Sequence, residues 1–220
     1  MSTSPTWPRS DYDGRPLQPE DLPADGMEAA GAWYREALAW YAEHPRDDVH
    51  GNEASLATST PDGRPSARIV LVRGFEPEGL VFYTDRESRK GDELMRNSHA
   101  ALTLWWPAFA RQIRFEGEAV PVDDAMSDAY HDARPRGSQL SAATSHQSRP
   151  IESREALEER RHTLEEAFEG KAVARPARWG GFRLVPHTVE LWQGRPDRLH
   201  DRLLYRRAGD GSWSVTRLQP

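Results

Sequence analysis

From Ala54 onward the chain keeps returning to one pattern, a short run rich in β-branched and aromatic residues followed by a turn. Residues 54–59, the turn Thr60-Pro61-Asp62-Gly63 and residues 66–73 read as strand, turn and strand. Residues 79–84, 100–106 and 112–120 repeat the pattern, and 179–185, 188–192, 203–206 and 213–217 close the chain with four more strands. Helices interrupt the series. Apolar residues at Met27, Ala30, Tyr34, Ala37, Leu38 and Tyr41 predict a helix over 27–43, ended by His44-Pro45. Ser88 caps a short helix over 89–96 before Asn97 stops it, and Asp123 or Asp124 starts another through about His131. Residues 134–150 read as a loop, and 152–169 as a charged helix with Leu157, Leu164 and Phe168 on one face. The expected fold class is mainly β with α (α+β), an antiparallel Greek-key barrel with flanking helices. Residues 1–26, with five prolines, read as a flexible arm preceding a single domain over 27–220.

Composition narrows the function classes. With no cysteine there is no disulfide scaffold, thiol nucleophile or cysteine-ligated metal. A formal net charge of −6 is a poor balance for wrapping a polyanion, so no nucleic-acid partner is expected. No segment approaches the ~18 consecutive apolar residues of a membrane span. Residues 1–9 lack the basic-then-apolar order of a secretory signal, so a soluble cytoplasmic protein is expected. The mean hydropathy of −0.81 is low, yet eight Trp, six Tyr and six Phe supply material for a core.

Four segments gather cations. Ser88-Arg89-Lys90 at a helix start places hydroxyl, guanidinium and ammonium beside free backbone N–H groups, suited to a phosphate and equally to an ordinary solvated helix start. Arg68 and Arg73 bracket an apolar strand, Ile69-Val70-Leu71-Val72, and need a partner there, either a bound anion or a carboxylate across the sheet. Arg134-Pro135-Arg136-Gly137-Ser138-Gln139 has the composition of a small-ligand loop. Trp192 through Arg202 interleaves an aromatic with Arg195, Arg198, Arg202 and His200. No HExxH, GxSxG, Walker A or GxGxxG occurs, and His146, His162 and His187 lack ligand spacing, so no metal is expected.

Taken in order, these segments resemble the pyridoxamine/pyridoxine 5′-phosphate oxidase family. The resemblance runs from Arg9-x-x-Tyr12 through Arg68-Ile-Val-Leu, Phe82-Tyr83-Thr84 with Ser88-Arg89-Lys90, and Arg111-Gln112. It continues through Arg134-Pro-Arg-Gly-Ser138-Gln139, Gln147-Ser148 and Trp179-Gly-Gly-Phe182. Leu191-Trp192-Gln193-Gly194, Arg198-Leu-His-Asp-Arg202 and Arg217-Leu-Gln-Pro220 complete it. Each piece is weak alone; the ordered set is specific.

The resemblance implies an FMN-binding split β-barrel working as a homodimer, with FMN in a cleft at the subunit interface. Its flavin contacts carry over onto Arg68, Ile69, Val70, Leu71 and Arg73, then Tyr83, Thr84, Arg89 and Lys90, and finally Gln112, Gln147, Ser148, Trp192 and Arg202. Its substrate contacts carry over onto Arg9, Tyr12, Arg73, Tyr130, Arg134, Ser138, Arg198 and His200. The implied chemistry oxidises a primary amine or alcohol at the 4′ carbon of a phosphorylated pyridine. Hydride passes to the flavin, O2 reoxidises it with release of H2O2, and water hydrolyses the imine formed from the amine. The residues taken as catalytic are Arg198 and His200, orienting the substrate and assisting proton removal.

Three positions depart from the family pattern. Arg73 stands where Lys is usual, His50 where many members carry Asp, and Ser141-Ala142-Ala143 where Gly-Ala-Trp is usual. Loss of that Trp is expected to enlarge the pocket, which keeps a phenazine-type oxidase acting on a larger ring as the second expectation. A non-catalytic FMN or pyridoxal-phosphate binder is the third.

Overall fold

The computed structural model describes Tyr12 and residues 14–220. Arg9 lies outside the described residues, as does most of the first half of the expected arm.

The chain forms two compact units that interleave in sequence. One comprises the chain up to Gly51 with Thr103–Phe115 and His187–Pro220; the other comprises Asn52–Leu102 and Glu116–Pro186. The elements in chain order are α1 (Gly26–Glu43), β1 (Glu53–Ser59), β2 (Pro65–Leu71), β3 (Gly74–Glu76), β4 (Gly79–Asp85) and α2 (Arg89–Arg96). Then come β5 (His99–Trp106), β6 (Arg111–Pro121), α3 (Asp124–Ala133), α4 (Arg136–Thr144), α5 (Arg154–Ala167), β7 (Trp179–Gln193), β8 (Asp201–Arg207) and β9 (Trp213–Leu218). The strand order is β2-β1-β5-β6-β7-β4-β3, with β8 paired to β7 and β9 to β8. The β1–β2, β3–β4, β4–β7, β7–β8 and β8–β9 ladders are all antiparallel.

In the first unit, Asp25 caps α1 by accepting from the N–H groups of Met27 and Glu28 at 2.7 and 3.0 Å. The helix buries Met27, Ala30, Tyr34, Ala37 and Tyr41 of the stripe its spacing predicts, adds Trp33, and leaves the expected Leu38 only half-buried. Leu104, Trp106, Ile113 and Phe115 are buried in this unit, as are Val189, Leu191, Leu203 and Tyr205 from β7 and β8. Each large apolar side chain removed from water contributes about 1.5–3 kcal/mol. The buried Trp106 indole satisfies its N–H on Gly51 O at 2.8 Å.

In the second unit, β1 pairs with β2 so that Leu56 faces Arg68 and Ala54 faces Val70. Leu56, Leu80, Phe82, Leu102, Phe182 and Leu184 are wholly buried, with the Phe82 and Phe182 rings stacked at 5.9 Å. Ser88 caps α2 as expected, accepting from Gly91 N–H at 3.3 Å.

Three expectations need correction. The loop expected over 134–150 contains α4. Its apolar content is thin, but Leu140, Ala142 and Thr144 are buried. The Gln139 amide joins it to the preceding helix by donating to the carbonyls of His131, Asp132 and Arg134 at 3.1–3.2 Å. Next, the strands expected over 179–185 and 188–192 are one strand, β7. β4 pairs with Trp179–Leu184 and β8 with Thr188–Gln193, so Pro186 falls where neither ladder asks for its missing N–H. Finally, no residue of α5 is buried, and Leu157, Leu164 and Phe168 are only half-buried. The short β3 was not anticipated, since three residues carry no readable alternation.

Among the described residues, no helix is long and apolar enough to cross a membrane, and no group of three or more His, Asp or Glu is placed to hold a metal ion.

Candidate functional site

The second unit carries a cleft of about 640 Å³. The end of β2 supplies Ile69, Val70 and Leu71, followed by Arg73; β4 supplies Tyr83 and Thr84, and α2 supplies Lys90. Tyr130, Arg134 and Ser138 enter from α3 and the start of α4, with Gln147 and Trp179 completing the wall. Most of the site residues that the sequence places in this unit therefore come together.

One end of the cleft is built around Lys90. Its ammonium donates to Gln147 Oε1 at 3.0 Å, Thr84 Oγ1 at 3.1 Å and Ser88 Oγ at 3.3 Å, all neutral acceptors. Burial, with the nearby Arg68 charge, lowers its pKa from the ordinary lysine value. Gln147 is held by its surroundings: its N–H donates to Asp85 Oδ2 at 3.3 Å. The buried Asp85 also receives Arg178 Nε at 3.0 Å, while Arg178 Nη2 donates to Ala142, Ala143 and Ser145 carbonyls at the end of α4.

The other end is aromatic and cationic. The Tyr83, Tyr130 and Trp179 rings lie nearly parallel, with Tyr83 and Tyr130 3.9 Å apart and Tyr83 and Trp179 5.5 Å apart. Burial, and then Tyr130, raises the Tyr83 pKa. Arg134 lies 4.7 Å over the Trp179 ring. Its Nη1 is buried without a hydrogen-bond partner, and its pKa is lowered by burial and by Arg73. Two glycines of β7 leave room beside Tyr83 and Arg86. Gly181 is the cross-strand partner of Tyr83, and a Cβ there would sit 2.9 Å from the Tyr83 ring; one on Gly180 would sit 2.5 Å from the Arg86 guanidinium.

Six expected flavin residues do not line this cleft: Gln112, Trp192 and Arg202, which belong to the other unit, and Arg68, Arg89 and Ser148 of this one. Arg68 turns to protein groups, donating to Thr58 Oγ1 at 2.6 Å and Leu56 O at 3.2 Å, and pairing with Glu93 Oε2 at 3.3 Å. Its partner is thus a carboxylate, supplied by α2. Arg89 Nε binds Glu93 Oε1 at 2.9 Å, and with Ser148 it borders a separate recess of about 230 Å³. Glu93 was missed in the sequence because an acidic residue on a charged helix looks solvated; here it is 3 % exposed. Ala143, the departure expected to widen the pocket, is absent from the cleft lining. His50 is exposed and belongs to the other unit.

In the first unit, aromatic rings gather around Tyr12. It meets Trp192 edge-on at 5.9 Å, Trp105 at 6.5 Å and His200 at 5.9 Å; Trp192 and His200 are 4.5 Å apart. Gly194 makes room, since a Cβ there would lie 2.6 Å from the Tyr12 ring. His200 Nδ1 accepts from Arg195 N–H at 3.1 Å, and burial and Arg198 lower its pKa. Arg198 is exposed. Arg202 grips Glu190, Nε to Oε1 at 2.7 Å and Nη2 to Oε2 at 3.1 Å, and Arg114 reaches the same carboxylate at 2.8 Å. Gln112 lies half-buried on β6 beside Arg111, whose Nε binds Gln193 Oε1 at 2.9 Å.

Comparison with known proteins is consistent across the chain. Residues 50–166 match the family described as pyridoxamine 5′-phosphate oxidase, and residues 179–220 match the pyridoxine 5′-phosphate oxidase C-terminal dimerisation region. A pyridoxine/pyridoxamine 5′-phosphate oxidase from Rubrobacter xylanophilus is 48% identical over 212 residues, covering 96% of this chain and 94% of that protein. Its counterpart from Trichormus variabilis is 42% identical, covering 96% of each. Among solved structures, PhzG from Burkholderia lata, in complex with tetrahydrophenazine-1-carboxylic acid, superposes with a TM-score of 0.84 at 34% identity, covering 94% of this chain and 100% of that one. A pyridoxamine 5′-phosphate oxidase-related, FMN-binding protein from Nostoc punctiforme gives 0.65 at 23% identity over 85% of this chain and 97% of its own. The antiparallel strands with flanking helices are the split β-barrel of these structures. On that evidence the chain belongs to the pyridoxamine/pyridoxine 5′-phosphate oxidase family of flavin-dependent oxidoreductases.

Proposed function

We propose that this protein binds FMN and oxidises pyridoxamine 5′-phosphate or pyridoxine 5′-phosphate to pyridoxal 5′-phosphate, reducing O2 to H2O2. The observation that carries the reading is the pair of cationic stations in one cleft. At one, Lys90 has only neutral acceptors; at the other, Arg134 keeps a buried Nη1 unpartnered beside Arg73. Arg134 has no carboxylate in contact, and the nearest acid to Lys90, Asp85, is already paired with Arg178, so each station fits a phosphate. FMN and the substrate bring one phosphate apiece.

The residues present therefore suit the cofactor. Lys90, Thr84 and Gln147 would hold its phosphate, with Ile69, Val70 and Leu71 beside its ring system. Arg68, Arg89 and Ser148 contribute from behind that station, the first two through Glu93. Tyr130, Arg134, Ser138 and Arg73 would hold the substrate phosphate. Bound FMN supplies the hydride acceptor and the site where O2 is reduced. The protein's part is to hold the substrate ring in one pose, keep water out of the reacting face and fix the phosphate. On this reading Tyr12, Arg198 and His200 would lie against the substrate, and Gln112, Trp192 and Arg202 against the flavin. Arg9 completes that substrate set in sequence.

The match to a dimerisation region supports a homodimer, and the proposed reading puts FMN at its subunit interface. A cytoplasmic setting, with no nucleic-acid or membrane partner, fits a soluble metabolic enzyme of this kind.

The likeness to PhzG favours a second reading, a flavin oxidase acting on a larger fused ring. One assay separates the two. Purified protein is loaded with FMN, and oxygen uptake is followed with pyridoxine and pyridoxamine phosphates and with a reduced phenazine carboxylate. Pyridoxal phosphate formed with stoichiometric H2O2 supports the first reading. FMN bound with turnover of the tricyclic substrate alone supports the second.

A further inference from the structure

Asp85 stands behind the Lys90 end of the cleft, only 2 % exposed, and does not line it. Its two carboxylate oxygens hold different segments. Oδ1 accepts from Glu87 N–H at 2.8 Å, in the turn leading into α2. Oδ2 accepts from Gln147 N–H at 3.3 Å and from Arg178 Nε at 3.0 Å. The Asp85 backbone carbonyl strengthens the first hold, accepting from Ser88 N–H at 3.1 Å and Ser88 Oγ at 2.6 Å. One residue thus ties the segment that carries Lys90 to the turn that carries Gln147, 57 positions further along.

The Gln147 turn needs such a hold. Arg149 N–H donates to His146 O at 3.1 Å, and between them Ser148 has left-handed backbone, with φ of 66°. For a residue with a Cβ that conformation costs on the order of 1 kcal/mol, so contacts around the turn must impose it. On its N-terminal side Arg178 Nη2 fixes the end of α4, donating to the carbonyls of Ala142, Ala143 and Ser145 at 2.9–3.1 Å. Arg178 is also the counterion of Asp85, so the charge of that carboxylate is matched before any anion enters the cleft. What the assembly delivers is the Gln147 amide. Lys90 can only donate, so it meets Oε1, which lies 3.0 Å from Nζ and 3.0 Å from Thr84 Oγ1. The NH2 of the same amide stays available to an acceptor in the cleft.

We propose that Asp85 is a positioning residue for the phosphate of a bound flavin: it fixes the spacing between the Lys90 ammonium and the Gln147 amide, and Arg178 locks that setting. The inference rests on the proposed reading in which Lys90 and Gln147 hold the FMN phosphate. An amide at position 85 cannot do the same, because all three side-chain partners of Asp85 are donors. Whichever way an asparagine is turned, its NH2 opposes at least one of them. Either the start of α2 or the Gln147 turn is then released.

The test compares FMN with riboflavin, which carries the same ring system without the phosphate. Dissociation constants for both are measured by flavin fluorescence on apoprotein, for wild type, Asp85→Asn and Arg178→Lys. The lysine keeps a positive charge beside Asp85 but gives up the fork that reaches the α4 carbonyls, so it separates geometry from charge. The readout is the preference for FMN over riboflavin, which is expected to fall about 10-fold in each variant, through weaker FMN binding with riboflavin binding unchanged. A preference that is unchanged or raised in either variant overturns the proposal, because a general loosening of the fold weakens both ligands alike. If Asp85→Asn does not fold, Arg178→Lys decides alone by the same criterion. Wild-type protein that binds riboflavin as tightly as FMN removes the phosphate from this station, which overturns the cofactor reading itself and the role of Asp85 with it.

Discussion

Glu93 Oε2 lies 3.3 Å from Arg68 Nη2, a carboxylate of α2 meeting a guanidinium of β2 across 25 positions of sequence. Thr58 Oγ1 at 2.5 Å, Ser66 Oγ at 2.6 Å and Arg89 Nε at 2.9 Å donate to the same carboxylate. Burial alone would raise its pKa, but the hydrogen bonds from Ser66, Thr58 and Arg89, with the Arg89 charge, hold it at about 2. A carboxylate depressed in the folded state stabilises the protein above its unfolded pKa, near 4.5, and loses that contribution as pH falls toward 2. Glu93→Gln should therefore cost about 2 kcal/mol at pH 7. Its melting temperature should also vary less than that of wild type between pH 5 and the acid limit. Parallel melting curves across that window would show that Glu93 carries no such linkage.

Lys90 offers a sharper readout of cofactor binding. Its charge is disfavoured by burial and by Arg68, so an incoming phosphate restores what the surroundings withhold. Lys90→Met should weaken FMN binding by roughly 30-fold, the equivalent of one charge-assisted hydrogen bond. Lys90→Arg should also bind less tightly, because a planar fork cannot reproduce three contacts radiating from one nitrogen. Flavin fluorescence quenching on apoprotein measures both. For wild type, affinity should decline as pH rises through the lowered lysine pKa, and Lys90→Met should lack that decline.

Arg134 is expected to lower stability while raising substrate affinity. Its Nη1 is buried and unpartnered, and Arg73 repels it, so the apoprotein holds a cation without a counterion. Arg134→Met keeps a side chain over Trp179 while removing the charge. The apoprotein should gain about 1 kcal/mol, or roughly 2–4 °C in melting temperature. The KM for a phosphorylated pyridine should rise on the order of 100-fold with a much smaller change in kcat. A variant that is both less stable and unchanged in KM would remove Arg134 from the phosphate site.

Glu190 holds two guanidiniums at once, those of Arg114 and Arg202, with its own side chain only 2 % exposed. Glu190→Gln leaves both cations without their carboxylate. The arginines retain partial access to water, so the cost should be about 2 kcal/mol rather than the 3–5 of a fully buried pair. Urea denaturation measures it. Arg202 should also lose its fixed orientation, so FMN affinity should fall along with stability. Unchanged midpoints would mean that the two arginines find other partners.

What could be read from the sequence was mostly local. The Ser88 cap, the Asn97 stop and the α1 stripe depend on neighbours within one or two turns, and each is found where the spacing predicts. The α4 helix escaped notice because its single large apolar residue, Leu140, leaves no periodicity, and its join to α3 runs through the Gln139 amide. The break expected between 185 and 188 is absent because the β4 ladder gives way to the β8 ladder there, a changeover the sequence does not reveal. In the candidate site, Lys90 and Arg134 could be named in advance from charge, turn chemistry and the ordered resemblance. Glu93, Glu190 and the Asp85–Arg178 pair could not. Their meaning lies in contacts spanning 25, 12 and 93 positions, and nothing beside them in the chain distinguishes them from surface charges.

The paired glycines on β7 bear on how such a cleft can diverge over generations. Gly181 does not line the cleft, yet a methyl group on it would press on the Tyr83 ring and so on the parallel stack with Tyr130 and Trp179. A descendant adapting to a wider or differently shaped ring has two routes. It can replace the aromatic residues themselves, or it can change one hydrogen atom on the strand behind them. The second route moves the Tyr83 ring without altering any group a substrate touches. Heritable changes in substrate preference are therefore to be sought at position 181 as much as among the cleft walls.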